Sequence, residues 1–234
     1  MGKIRVRKQL RKAHRYLGLF IGIQFILWTV SGLYFSWTDI DEIHGDHLRK
    51  PATRVAFENL VSPTALDSTL RIRSVALREI NATPYYWVND RLLYNAQTGE
   101  KKEEVSEEEA LSIASKHMAD HLEVAGVTRI TSVGKHHEYR ERLLPAYVVS
   151  YKGDDAIKAY ISTNDGAFQT VRHRDWRWFD FLWMTHTMDY ESRDDINNWL
   201  LRAFSVLGLI TVLSGFVLWY ISSPTLRKLK KKRK

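Results

Sequence analysis

Apolar residues gather into two long runs near the ends of this chain and break into short alternating stretches between them. The runs, residues 16–38 and 203–226, contain no charged side chain. Each is long enough to cross a hydrocarbon layer of roughly 30 Å as a helix, which takes about 20 residues. We assign membrane spans to 16–38 and 199–223. The first run has the basic start and apolar core of a secretory signal. Its core is too long for one, however, and Ser36-Trp37-Thr38-Asp39 offers no small-residue cleavage site, so it reads as an uncleaved anchor.

Between the runs the periodicity changes. Ser106 followed by Glu107, Glu108 and Glu109 is a capping-box start, and Ala110, Leu111, Ala114, Met118 and Leu122 continue it as an amphipathic helix to about residue 121. Alternating stretches at 126–134, 146–151, 156–162 and 167–171 predict strands, with Asn164-Asp165-Gly166 as a turn. A weaker version precedes it. Ser62-Pro63 reads as the cap and first position of a short helix, and strands are expected at 70–80, 84–88 and 91–95, the last ending in Gln97-Thr98-Gly99. The motif of strand, polar turn with glycine, strand thus occurs twice. It predicts two tandem units of a helix plus an antiparallel sheet, at 39–104 and 105–175. Residues 176–198 open with Trp176, Trp178, Phe179, Phe181 and Trp183, a density that predicts an amphipathic helix in the headgroup layer, followed by a loop.

Charge orients this arrangement. The formal net charge is +8, but the tails at 1–15 and 224–234 hold fourteen of the 35 Lys and Arg and none of the 27 Asp and Glu. The rest of the chain is acidic. The basic residues therefore flank membrane spans instead of forming a face for nucleic acid, and no nucleic-acid partner is expected. Lys and Arg accumulate on the cytoplasmic side. Both tails are then inside, the middle is outside, and the lipid bilayer is the first partner. There is no cysteine, so disulfides and thiolate sites are excluded. No Gly-rich phosphate loop, Gly-x-Ser-x-Gly or His-Glu-x-x-His supports a hydrolase.

The motifs at the span ends carry a resemblance. His14-Arg15-Tyr16-Leu17-Gly18-Leu19, Ser31-Gly32-Leu33-Tyr34, His186-Thr187-Met188-Asp189-Tyr190 and Asn198-Trp199-Leu200 resemble the PepSY-associated membrane-helix family, and the outer repeat resembles paired PepSY domains. The resemblance covers nearly the whole chain. It implies a membrane protein with a two-helix transmembrane hairpin and an extracytoplasmic α+β domain of two tandem PepSY-like helix and antiparallel-sheet units, in the bacterial inner membrane. It also implies two kinds of work. Some members are haem-containing reductases of ferric iron or ferric siderophores. PepSY domains elsewhere inhibit or regulate proteases, which gives the alternative of a membrane-anchored binding module acting on an envelope protease or a transporter. An accessory role beside an iron or siderophore transporter is a third reading.

Several residues bear on that choice. His14, Gly18 and Gly22 share a helix face. A histidine followed by two positions without side chains leaves room for a flat group such as the porphyrin of haem b, or lets helices pack closely. His186 lies at the outer boundary beside Met184 and Met188, and His44 and His47 follow the first span, so all three are candidate axial ligands. The second span has no histidine, only a small-residue stripe of Ser205, Gly208, Thr211, Ser214 and Gly215. A haem held between two inner histidines then needs a second His14, which predicts a homodimer. Asp39, Asp41, Glu42 and Asp46 form an acidic group that could dock ferric iron as substrate or be a solvated turn, with Asp189, Glu191, Asp194 and Asp195 able to join it. His117 and His121, four apart, are expected at the surface or core edge, as are His136, His137 and His173.

Overall fold

The computed structural model describes residues 2–51 and 55–224, so the C-terminal basic tail lies outside the described residues from 225 onward. The chain forms two compact units, one made of the residues up to Trp37 and from Asp180 onward, the other of Thr38–Phe179.

The first unit is helical. Helix α1 (Gly2–Trp37) has 36 residues, about 54 Å at 1.5 Å per residue. The basic stretch expected as a separate tail is, from Gly2 on, the start of this helix. Its Lys, Arg, Gln, Leu and Ala are good helix formers, and no Pro or Gly interrupts it before Gly18. Helix α5 (Trp199–Ser222) begins at Asn198, whose side chain accepts from the Leu201 N–H. Arg5–Trp37 and Trp199–Ser222 are long and apolar enough to cross a membrane. The two helices run antiparallel. The Arg7 guanidinium donates to the Ile221 carbonyl, His14 meets Ser214, and Phe20 meets Phe204 with ring centroids 5.5 Å apart. Glycines of α5 make the closest approaches: a Cβ on Gly208 would fall 2.9 Å from Phe25, and one on Gly215 would fall 3.2 Å from His14. A Cβ on Gly18 or Gly22 would meet nothing within 4 Å, so these two do not form the helix contact.

The aromatic segment is helix α4 (Arg174–Thr187). Its second half packs along α1 from Phe35 to Gln24. A helix ending against an apolar partner leaves carbonyls that need donors. Trp28 Nε1 donates to the His186 carbonyl at 2.7 Å, the buried Gln24 amide to that of Thr185 at 3.4 Å, and Asn198 to that of Thr187 at 2.9 Å.

The second unit holds two four-stranded antiparallel meanders. Strands β1 (Val75–Ile80), β2 (Thr83–Val88), β3 (Leu92–Asn95) and β4 (Lys101–Lys102) form one sheet, and β5 (Val124–Ile130), β6 (Ala146–Tyr151), β7 (Lys158–Ser162) and β8 (Phe168–Arg172) the other, each in sequential order. The repeated turn is real in detail. In both copies a glycine with positive φ (Gly99 at 80°, Gly166 at 66°) donates its N–H to the carbonyl four residues back, Asn95 or Ser162.

The expectation of one helix per unit is corrected. Helix α3 (Glu107–His117) starts with the full capping box, Ser106 accepting from Glu109 N and Glu109 accepting from Ser106 N. Where Ser62-Pro63 predicted a helix there is a single 3₁₀ turn, Pro63–Ala65, and Ser62 makes no capping bond to it. One helix serves both sheets: Ala110, Ile113, Ala114 and Met118 share a core with Ile80, Trp87 and Leu93 of the first sheet and Val149, Ala159, Ile161 and Val171 of the second. A short helix, α2 (Ile40–His44), precedes the first sheet, with Asp39 as its cap.

Candidate functional site

The helical unit brings two histidines into matching surroundings. His14, on α1, has its Nδ1 2.7 Å from Ser214 Oγ of α5, and Ser214 Oγ lies 2.7 Å from the Thr211 carbonyl one turn back. His186, on α4, has its Nδ1 2.7 Å from Ser31 Oγ of α1, and Ser31 Oγ lies 2.6 Å from the Leu27 carbonyl. Each ring also has a glycine beside it, Gly215 for His14 and Gly32 for His186. Phe35 approaches His186 edge-on, with centroids 5.5 Å apart. Seventeen residues of α1 separate His14 from Ser31, which places the two imidazoles about 25 Å apart along that helix. Among the described residues no hydrogen bond uses the Nε2 of either ring.

The whole arrangement lies inside one matched region: a family model described as the PepSY-associated TM region covers residues 11–234. The chain belongs to that family. Neither a curated protein nor a solved structure matches it. With the family, the two apolar helices make this PepSY-associated chain a membrane protein. Each imidazole, held through Nδ1 with Nε2 unengaged, is of the donor type that axial haem ligation takes, and at about 25 Å apart the two would serve separate irons. A Cβ on Gly18 or Gly22 would meet nothing within 4 Å, one and two turns along α1 from His14.

The other candidates sit in the second unit, and half of them have structural partners. Asp39 accepts from the Asp41 N–H at 2.9 Å as the α2 cap. Asp46 pairs with Arg49 at 3.4 Å. Asp41, Glu42 and His44 are exposed. Among the described residues no group of three His, Asp or Glu side chains is placed to hold a metal ion. His47 meets His173 edge-to-face, with centroids 5.5 Å apart. His173 itself is buried, with Nε2 3.1 Å from the Ile43 carbonyl. Burial pushes its pKa below the usual histidine value, and His47 adds to this against the opposing pull of the Ile43 carbonyl. This partner of His47 was not foreseen; its place at the end of an apolar strand was the only local signal.

Asp189, beyond the second histidine, is also committed. Asp189 accepts from the backbone N–H of Glu191, Ser192 and Asp195 and from the Ser192 hydroxyl, clasping the loop before α5. Burial raises its pKa, but these donors outweigh it and hold the carboxyl well below the usual range. Buried Asp180 pairs with Arg193 at 2.6 Å.

His117 and His121 cannot act together on a helix, because α3 ends at His117, which stacks on Phe168 at 4.8 Å. The start of α4 is fastened within the second unit. Arg172 lies over the Trp176 ring at 3.8 Å, and Arg177 pairs with Glu138 at 2.6 Å. Tyr160 donates to the same carboxylate at 2.6 Å. Burial alone would raise the Glu138 pKa, yet Arg177 and Tyr160 bring it below the usual carboxylate value. Trp176 is thus held by arginine.

Proposed function

We propose that this PepSY-associated protein is a b-type haem electron-transfer protein of the bacterial inner membrane, which reduces ferric iron or a ferric siderophore on the extracytoplasmic side and so supports iron uptake. The observation that carries the reading is the pair of serine-tethered imidazoles at two depths of one span, each with Nε2 unengaged. Haem, when bound, supplies the one-electron chemistry. His14 and His186 would hold separate haems at the inner and outer levels, with a second copy of the chain supplying a second His14 at the inner level. The orientation rests on the basic residues at both ends of the chain, which keep the termini cytoplasmic. Asp41 and Glu42 are the exposed carboxylates offered to ferric iron, with His44 and His47 nearby in sequence.

A second reading has its own support. A cavity of about 330 Å³ in the outer unit is lined by Arg49, Lys50, Arg78, Glu79, Lys116 and Phe168, among others. If the spans are only anchors, this is where a segment of an envelope protease or transporter docks.

A reduced-minus-oxidised visible spectrum of the detergent-purified protein, with haem assayed per protomer, separates the two. We expect sharp b-type bands that are lost in His14→Ala or His186→Ala. A colourless protein purified from haem-replete cells removes the electron-transfer reading and leaves the outer unit as the functional part.

A further inference from the structure

Two serines on different helices do the same thing to two histidines. A serine hydroxyl has one proton to give and lone pairs to accept with. Ser31 Oγ lies 2.6 Å from the Leu27 carbonyl and 3.3 Å from that of Trp28. A carbonyl oxygen can only accept, and two oxygens at 2.6 Å without a proton between them repel. The Ser31 proton therefore goes to the carbonyl, which leaves Oγ as the acceptor for His186 Nδ1 at 2.7 Å. The same logic holds at the other level. Ser214 donates to the Thr211 carbonyl at 2.7 Å, so it accepts from His14 Nδ1 at 2.7 Å.

We infer that Ser31 and Ser214 are positioning residues that lock His186 and His14 in the Nδ1–H tautomer, with the Nε2 lone pair presented as the donor atom to a haem iron. The lock rests on the proposed function only for what Nε2 binds. The tautomer follows from the hydrogen bonds alone. In each case the helix supplies the final acceptor, so the hydroxyl cannot turn towards the imidazole without giving up its own carbonyl bond. Other hydroxyls on α1 also bond back to carbonyls without touching a histidine: Ser36 to Leu33 and Thr29 to Phe25. Bonding back to the helix is therefore common here, and what sets Ser31 and Ser214 apart is the imidazole on the acceptor side. A hydrogen bond on the remote ring nitrogen fixes a ligating histidine's tautomer and ring orientation, and its loss typically weakens metal binding about 10–100-fold.

The test uses the full chain in detergent. Nitrogen-15 spectra of histidine-labelled, haem-free protein report which ring nitrogen of His14 and His186 carries the proton, each assigned by its absence in the Asn variant. The expected result is Nδ1–H at both positions, lost at His186 in Ser31→Ala and at His14 in Ser214→Ala. Each Ser→Thr variant restores it, and Ser36→Ala leaves both unchanged. Haem titration should then show about 10–100-fold weaker binding for the two Ala variants and near wild-type binding for the Thr variants. Nε2–H tautomers in the parent protein overturn the inference whatever the haem content, as do Ala variants that keep both tautomers. If the tautomers are as expected and no haem binds, the lock stands and the haem reading falls.

Discussion

Gly99 and Gly166 occupy the same place in the two repeated turns, yet they carry different burdens. Both adopt positive φ, where a side chain costs about 1–2 kcal/mol. A Cβ at Gly99 would find its nearest neighbour, Leu66 Cδ2, at an ordinary 3.9 Å. At Gly166 it would fall 2.9 Å from Ile80 Cγ1 and 3.0 Å from Ile80 Cδ1, where the turn of the second sheet presses on the first. Gly99→Ala should therefore cost only the backbone term. Gly166→Ala should add the overpacking term of about 1–3 kcal/mol, because Ile80 is itself buried and has little room to retreat. Thermal unfolding of the full chain in detergent, followed by tryptophan fluorescence, checks the order. Equal losses would mean that the sheets yield at this contact.

At the scale of elements, α4 is held by its last carbonyls. Trp28 and Gln24 supply donors where water is excluded, and a buried acceptor left without a partner costs about 1–3 kcal/mol. The shorter bond belongs to Trp28, at 2.7 Å against 3.4 Å for Gln24. Trp28→Phe should consequently loosen the end of α4 more than Gln24→Leu. Hydrogen exchange should show faster amides at 183–187 and unchanged protection in α3. Uniform acceleration across both helices would instead indicate global destabilisation. This end of α4 also shows what was legible in the sequence. Hydropathy located both spans, and the local grammar of Ser106 and Glu109 located α3, because each signal lies within a few residues. The aromatic run at 176–184 read as an interfacial helix because composition is all a short stretch offers. Its true docking depends on donors more than 150 positions away, and the one clue was a lone amide, Gln24, in an apolar run. Ser31 was visible only as part of a motif shared with the family, and Ser214 only as a small residue suited to packing; that each serves a histidine is a long-range fact.

For the whole molecule, the repeat in sequence is a repeat of sheets without a repeat of helices. The turns recur and the strands recur, but α3 packs against both sheets, so the second unit has one main core. The membrane unit is less self-sufficient. Its two spans pack through Gly208 and Gly215, while among the described residues nothing lies within 4 Å of where a Cβ on Gly18 or Gly22 would stand, and Leu19 and Ile23 remain exposed. Helices approach closely in lipid where small residues allow it, and His14 has no histidine facing it from α5. A twofold pair of α1 helices through Gly18 and Gly22 would answer both. The chain has no cysteine, so single-cysteine variants report this directly. Gly22→Cys should crosslink two protomers under mild oxidation, whereas Leu213→Cys, exposed on α5, should not. The purified complex should weigh two protomers, and the haem proposed for the inner level should be bound only in that form. A monomer with a full haem load would remove the dimer and require the inner ligands to come from one chain.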